Sequence, residues 1–349
     1  MFKSSGSWLL PFCTAAVFSV SANASPFDNN LGSSKNLVQS SVVQFSVPNI
    51  AHAMQRFTRA PHPMASSEQK KLAAEIKADL VKQGWDAQIQ KFKTKIPNVA
   101  HDKLGGKDKN AAPVKEVEGE NILAVSKGSE RCMLVIGGHY DTKIYKDFKF
   151  VGANDGGSST AAMQELARVI SQIRKQESSM KAAMPESGRF LDCSIALAFF
   201  DGEEATLPEW SDGDRLLGIQ DNIHGSRAFA ATLERKFDGI SYQNLPVKAV
   251  LVLDMIGHKN QNLFITNGSH PLLAQKLLSQ KTTTKIALAN VSIEDDHLPF
   301  AQLGLPFLHI IDWTNLSEWH TPKDSLDIIS NQHIADFGDM LVRFLKQKR

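Results

Sequence analysis

The chain has 349 residues, 42% of them hydrophobic and 22% charged, with 22 Gly and 14 Pro, a composition that excludes a collagenous, coiled-coil or disordered chain. Its 39 basic residues against 37 acidic ones leave a net charge of +2, too weak a field to hold a polyanion, so nucleic acid is excluded as a partner. No apolar run reaches the ~20 residues of a membrane span.

Residues 1–24 read as a secretory signal. Lys3 supplies the positive start, Trp8 begins an apolar stretch, and Ala22-Asn23-Ala24 forms a small-x-small cleavage site. The rest, 25–349, reads as one catalytic domain released near Ala24, secreted or periplasmic, without a membrane partner. Cys132 and Cys193 each open an expected strand. In an oxidising compartment they are either a disulfide between neighbouring strands or two buried thiols.

The first helix is signalled by Ser66 and Gln69, spaced as a capping box, by Leu72, Ile76 and Leu80 on one face, and by Gly84 as its stop. A strand follows at 87–92, and then a stretch over 97–117, rich in Lys, Asp, Gly and Asn, that reads as an exposed loop or irregular hairpin. Beyond it short apolar runs alternate with helical patterns. Strands are expected at 122–125, 133–136, 195–200, 247–253 and 305–311, and helices from 158 to about 174 and at 226–233, 272–278 and 334–345. The strand runs lack polar alternation, so both faces are covered. That is the pattern of an α/β domain with a mixed, mostly parallel central sheet and helices on both faces. Residues 176–189 and 206–222 read as surface insertions without periodicity.

Several of these buried segments run into acids or histidine. The strand at 133–136 leads to Gly137-Gly138-His139-Tyr140-Asp141, that at 195–200 to Asp201-Gly202-Glu203-Glu204, and that at 247–253 to Asp254, while Gly152-Ala153-Asn154-Asp155-Gly156 opens the helix at 158. Ligands of an open parallel sheet gather outside the carboxyl ends of its strands, so these groups can converge. Converging carboxylates repel one another unless a cation joins them, and oxygen with imidazole donors suits a divalent metal. Asp155, Glu204 and a histidine make three ligands with an open fourth position, as in catalytic zinc sites. His320, in a loop after the last strand, is the histidine chosen. Each acid alone reads as a cap or a loop ion pair; their joint placement carries the inference. Glu203, beside Glu204, is expected to point elsewhere, and a carboxylate near a metal but free of it suits acid/base work. Asp201 reads as structural.

Seven motifs together resemble the zinc-aminopeptidase family of co-catalytic metallopeptidases, and within it most closely the animal-type glutaminyl-peptide cyclotransferases. They are Gly-His-Tyr-Asp at 138–141, Phe-Val-Gly-Ala-Asn-Asp at 150–155, Phe-Phe-Asp-Gly-Glu-Glu-Ala at 199–205, His-Gly-Ser-Arg at 224–227, Val-Leu-Asp-Met-Ile-Gly at 252–257, Asp-Asp-His-Leu-Pro-Phe at 295–300 and Glu-Trp-His at 318–320. The resemblance spans roughly 50–345. It implies one Zn2+ per chain on Asp155, Glu204 and His320, and Glu203 as the proton-transfer group with Asp254 and Asp295 in a network around it. It further implies Trp210 and Trp319 as walls of a small substrate pocket and His309 as a pocket-lining residue, for which a satisfied core histidine is the competing reading.

The implied activity is conversion of the N-terminal glutamine of peptides or proteins to pyroglutamate with release of ammonia, by a monomer. The alternative is a secreted zinc aminopeptidase with a one- or two-metal site, because His139, Asp155, Glu204, Asp254 and His320 also match the ligands of a two-zinc centre. The doubled acid Asp295-Asp296 before His297, with Trp210 and Trp319, favours the cyclase. Two positions depart from the animal pattern: Asn315 replaces a pocket phenylalanine, and Gly138 and Ala161 stand where some members carry a cysteine pair.

Overall fold

The computed structural model describes residues 43–179, 187–236 and 239–349; the secretory signal read at 1–24 lies outside them. A helix not expected from the sequence comes first. It is α1 (Val47–Phe57), capped by the Ser46 side chain and burying Ile50, Ala53, Met54 and Phe57. α2 (Ser67–Lys82) starts where its capping signal stands, Ser66 Oγ accepting from Gln69 N at 3.1 Å. The reciprocal half of the box is not made. Gln69 instead turns inward and its Nε2 donates to the Tyr140 hydroxyl, tying α2 to the strand end that carries His139.

The described strands are β1 (Asp86–Pro97), β2 (Val114–Ser126), β3 (Met133–His139), β4 (Ser194–Phe200), β5 (Glu234–Lys236), β6 (Gly239–Tyr242), β7 (Leu245–Asp254), β8 (Leu263–Ile265), β9 (Ile286–Leu288) and β10 (Phe307–Ile311). The remaining helices are α3 (Ser159–Ser179), α4 (Asp212–Leu217), α5 (His224–Ala230), α6 (Pro271–Leu278), α7 (Leu298–Gln302) and α8 (Asn331–Leu345). The sheet runs β1-β2-β4-β3-β7-β10-β8-β9, with β5 and β6 attached beside β7. Its centre, β4-β3-β7-β10, is parallel throughout, and antiparallel pairs flank it.

Alternation along the central strands divides the core. On β3, Leu134 and Ile136 face one hydrophobic cluster while Met133 and Val135 face the other; on β4, Ile195, Leu197 and Phe199 oppose Ala196, Ala198 and Phe200. The first cluster is closed by α1, α2, α3 and α8, the second by α5 and α7. Each fully buried aliphatic side chain contributes roughly 1.5–3 kcal/mol, which explains why these runs carry no polar alternation.

One expectation is resolved and one corrected. Of the two readings of 97–117 the structure gives the hairpin: Thr94 to Pro97 pair with Val114 to Val117 between β1 and β2, and Lys93 reaches diagonally to Glu116 at 3.2 Å. The insertion at 206–222 contains α4, too short for periodicity to reveal. The open question about cysteine is settled: Cys132 and Cys193, one residue before β3 and β4, form a disulfide with Cα atoms 4.8 Å apart.

Candidate metal centre and active site

The parallel strands deliver their carboxyl ends to one side of the sheet. His139 ends β3, Asp254 ends β7, Asp201 to Glu204 follow β4, and Trp313, Trp319 and His320 follow β10. Asp155 comes from the turn Ala153–Ser158 leading into α3, where the backbone leaves helical values at Asp155 and at Gly156, the latter with φ 81°. A Cβ at Gly156 would lie 2.8 Å from His139 Cε1, so only glycine lets this turn pass under the imidazole.

Long-range hydrogen bonds hold these loops. Asn154 N and Asp155 N donate to the Asp324 carboxylate at 2.7 and 3.1 Å, and Gly257 N donates to Asn154 Oδ1 at 2.8 Å, fixing the turn to the end of β7. Asp141 accepts from Glu203 N at 3.1 Å and from Glu204 N at 3.4 Å, setting the two glutamates. Lys143, buried, donates to Ala205 O at 2.7 Å and lies 3.8 Å from Glu204 Oε2. Three residues around the site hold left-handed φ: Ile223 at 42°, Met255 at 50° and His320 at 56°. Such a backbone costs a non-glycine residue about 1 kcal/mol or more.

Asp155, Glu204 and His320 meet. His320 Nε2 is 3.4 Å from Asp155 Oδ2 and 3.3 Å from Glu204 Oε2, and one donor atom from each residue lies within 4.8 Å of the others. A second triplet, His139, Asp155 and Asp254, meets the same criterion and shares Asp155. His139 Nε2 is 3.1 Å from Asp155 Oδ1 and 3.3 Å from Asp254 Oδ1. Asp155 Oδ2 and Glu204 Oε1 are buried and accept no hydrogen bond among the described residues. Orphaned carboxylate oxygens beside an imidazole form a donor set that fits a divalent ion such as zinc.

The acids do not titrate alike. Burial pushes Glu203 well above the usual carboxylate range, and Asp295, Glu204 and Asp296 add to that push against the pull of His139. Asp254 is raised to about 6, mainly by burial, with His139 opposing and Asp155 and Asp295 reinforcing. Asp155 is held below its ordinary value because His139 and His320 outweigh its desolvation. His320 is raised to about 9, its burial overcome by Glu204 and Asp155. Carboxyl groups whose proton affinities are pushed apart in this way, Glu203 and Asp254 up and Asp155 down, are the separation an acid/base site needs.

A cavity of about 300 Å³ opens beside these groups, with Glu203, Glu204, Asp254 and Asp295 on its polar side and Trp210, Trp313 and Trp319 on its aromatic side. Glu203 and Glu204 both line this space, and Glu203 stands outside both candidate metal triplets. Trp319 stacks on His320 with ring centroids 3.8 Å apart and meets Trp313 edge-on at 5.5 Å. Trp210 Nε1 donates to Glu294 Oε2 at 2.8 Å.

His309 does not line the cavity, and of its two readings the structure gives the satisfied core histidine. Its side chain is fully buried on β10, with Nε2 2.7 Å from Asp295 Oδ2 and Nδ1 3.0 Å from Thr266 Oγ1. The physical reason is alternation: Leu308 and Ile310 face one cluster, so His309 faces the other, stacked on His297 with centroids 4.3 Å apart. Asn315 donates to Asp312 Oδ2 at 2.6 Å and to Asn260 O at 3.1 Å. Sequence reasoning missed Trp313, Asp324 and Lys143. Trp313 could have been found as an aromatic two residues past the end of β10; nothing local marks Asp324 or Lys143.

A model of peptidase family M28 matches residues 121–345. The glutaminyl-peptide cyclotransferase of Dictyostelium discoideum is 28% identical over 294 residues, covering 75% of this chain and 74% of that protein. That of Gloydius blomhoffii is 30% identical over 246 residues, 64% of each, so this chain spans just under two thirds of it. Among solved structures, the glutaminyl cyclase of Macrostomum lignano superposes with a TM-score of 0.67 at 21% identity, over 90% of this chain and 94% of that one. A leucine aminopeptidase precursor from Bacteroides thetaiotaomicron superposes with a TM-score of 0.65 at 18% identity, over 88% and 99%. At those identities the superpositions establish the α/β fold and do not choose between the two chemistries.

Proposed function

The chain belongs to peptidase family M28, and we propose that within this family it is a zinc-dependent glutaminyl-peptide cyclotransferase, acting on peptides or proteins that begin with glutamine. The observation that carries this reading is the cavity: about 300 Å³, at the small end of ligand sites, walled by tryptophans and reaching Glu203 beside the Asp155, Glu204 and His320 triplet. It suits one flat side chain better than a run of peptide. The cyclotransferases among the curated relatives support the same choice.

Closing the ring joins the substrate's α-amine nitrogen to its own γ-carboxamide carbon and breaks the bond to the amide nitrogen, which leaves as ammonia. Both partners belong to one residue, so the protein need only fix a rotamer and manage charge and protons. A zinc ion held by Asp155, Glu204 and His320 would supply Lewis-acid polarisation of the γ-carbonyl. Glu203 takes a proton from the amine and returns one to the departing nitrogen, and its raised proton affinity suits both transfers. Asp254 and Asp295 serve as its acidic neighbours and hold its protonation in balance. Trp210, Trp313 and Trp319 keep water out, and this matters because hydrolysis to glutamate is the competing reaction.

The Cys132–Cys193 disulfide supports an oxidising location, consistent with release outside the cytoplasm after cleavage near Ala24. Among the described residues no helix is long and apolar enough to cross a membrane.

A second reading, a metallo-aminopeptidase, is favoured by one feature, the His139, Asp155 and Asp254 triplet, which could complete a two-metal centre. Incubating the purified protein with glutamine-led peptides separates the two. The cyclase gives a product lighter by one ammonia and no free amino acid; release of free N-terminal residues would instead establish the peptidase.

A further inference from the structure

A second cavity adjoins the one just described. It has a volume of about 310 Å³ and shares Trp210 and Glu294 with the first as a common wall. Trp210 Nε1 donates to Glu294 Oε2, so a hydrogen bond pins the carboxylate at the boundary between the two spaces. The outer space is lined further by Asp214, Asn222 and Arg227.

The charges around it are unequal. Asp214 and Glu294 are both exposed, and the neighbouring Arg215 pairs with Asp212 rather than with Asp214. The one cation in the lining is Arg227. It is half-buried, its Nη2 is 3.1 Å from His224 Nδ1, and Asp296, Asp214 and Asp221 together compensate its charge, so Glu294 is the carboxylate of the lining not drawn on by it. The inner cavity's lining includes no lysine or arginine. A chain leaving the inner cavity with its first residue seated therefore passes Glu294 and reaches a space where two exposed carboxylates outnumber one half-buried cation.

Resting on the cyclase reading, we propose that the outer cavity is the subsite for the residue that follows the N-terminal glutamine, and that Glu294 and Asp214 make it selective for a cationic side chain, lysine or arginine. Glu294 is the specificity-determining group. Its position is fixed by Trp210 before substrate arrives, so little ordering opposes the contact. The outer cavity is open to water, so the preference is modest and sensitive to salt.

The test compares kcat/KM for ammonia release from amidated Gln-Lys-Ala, Gln-Ala-Ala and Gln-Glu-Ala peptides. The wild-type protein should favour lysine over glutamate by about threefold to fivefold, the scale of an exposed ion pair, with alanine between them and the ratio shrinking as sodium chloride is raised. Glu294→Gln, which keeps an oxygen for Trp210, and Asp214→Asn should each lower the ratio, and the double variant should bring it near one. Both side chains are exposed, so melting temperatures should not move. Equal kcat/KM for all three peptides, a preference for glutamate, or a ratio indifferent to both substitutions would overturn the subsite while leaving the cyclase intact. Ammonia from none of the peptides would overturn the cyclase reading, and the subsite with it.

Discussion

Asp295, on the cavity wall, and His309, behind it, form a buried pair, Oδ2 against Nε2 at 2.7 Å. Desolvation would raise the Asp295 carboxyl, but His309 outweighs it and holds the group below its ordinary value. Asp295 thus holds its proton less tightly than an ordinary carboxyl, next to Glu203, which holds its proton more tightly.

Replacing His309 removes that anchor without touching the metal ligands. His309→Ala is expected to lower kcat/KM by roughly 10–100-fold, the usual cost of losing a supporting partner. Zinc content should stay unchanged, and the pH profile of kcat should shift. An unchanged profile with lowered activity would reduce His309 to a packing role.

Glu203→Gln keeps the shape of the side chain and removes its proton traffic. Turnover should fall by roughly 10²–10⁴-fold while zinc remains bound, measured by atomic absorption alongside ammonia release. Near-normal turnover would take the acid/base role away from Glu203.

Metal stoichiometry bears on the two triplets that share Asp155. One zinc per chain is expected, lost on chelation together with activity and restored by added Zn2+, and His320→Ala should not retain it. Two tightly held zincs per chain would favour the aminopeptidase.

The disulfide closes a loop of sequence separation 61, for which chain entropy predicts a contribution of about 4 kcal/mol. The Cys132→Ser/Cys193→Ser protein should unfold at a clearly lower urea concentration than the oxidised wild type. Coincident midpoints would show that the link contributes nothing to stability.

Three buried histidines set the acid limit. His224 and His297 are pushed down from 6.5 to about 3 and His62 is also lowered, in each case chiefly by burial. Their folded affinity for protons lies below the unfolded one, so the unfolded chain binds more protons as pH falls. Stability should therefore begin to drop near pH 6.5 and keep dropping toward pH 3, by up to about 1.4 kcal/mol per pH unit for each histidine. In His224→Asn the slope of unfolding free energy against pH between 4 and 6 should be shallower by about that amount, read from urea titrations.

Much of the centre was legible because unbroken apolar strands ended in Gly-His-Tyr-Asp, Asp-Gly-Glu-Glu and Val-Leu-Asp. A charged residue there has no core to enter, so its place at the sheet's carboxyl edge follows from the strand itself. His320 was reachable by the same logic from β10. What escaped were relationships across the chain: Asp324 holding Asp155's turn over 169 residues, and Gln69 leaving its capping box for Tyr140. α1 was legible in principle, with Ser46 as cap and Ile50, Ala53, Met54 and Phe57 on one face. β8 and β9, three residues each, carry too little pattern for any periodicity to register. The two readings of His309 stayed open because an inward position on a strand does not say which of two cores it enters.

The left-handed backbone at Ile223, Met255 and His320 gives the hollow a particular sensitivity. Three residues held at left-handed backbone angles amount to about 3 kcal/mol or more, a sizeable part of the roughly 5–15 kcal/mol that typically keeps a domain folded. A compact ligand that locks those loops in place should thus raise the melting point out of proportion to its size, making thermal shift a sensitive screen for inhibitors of this chain.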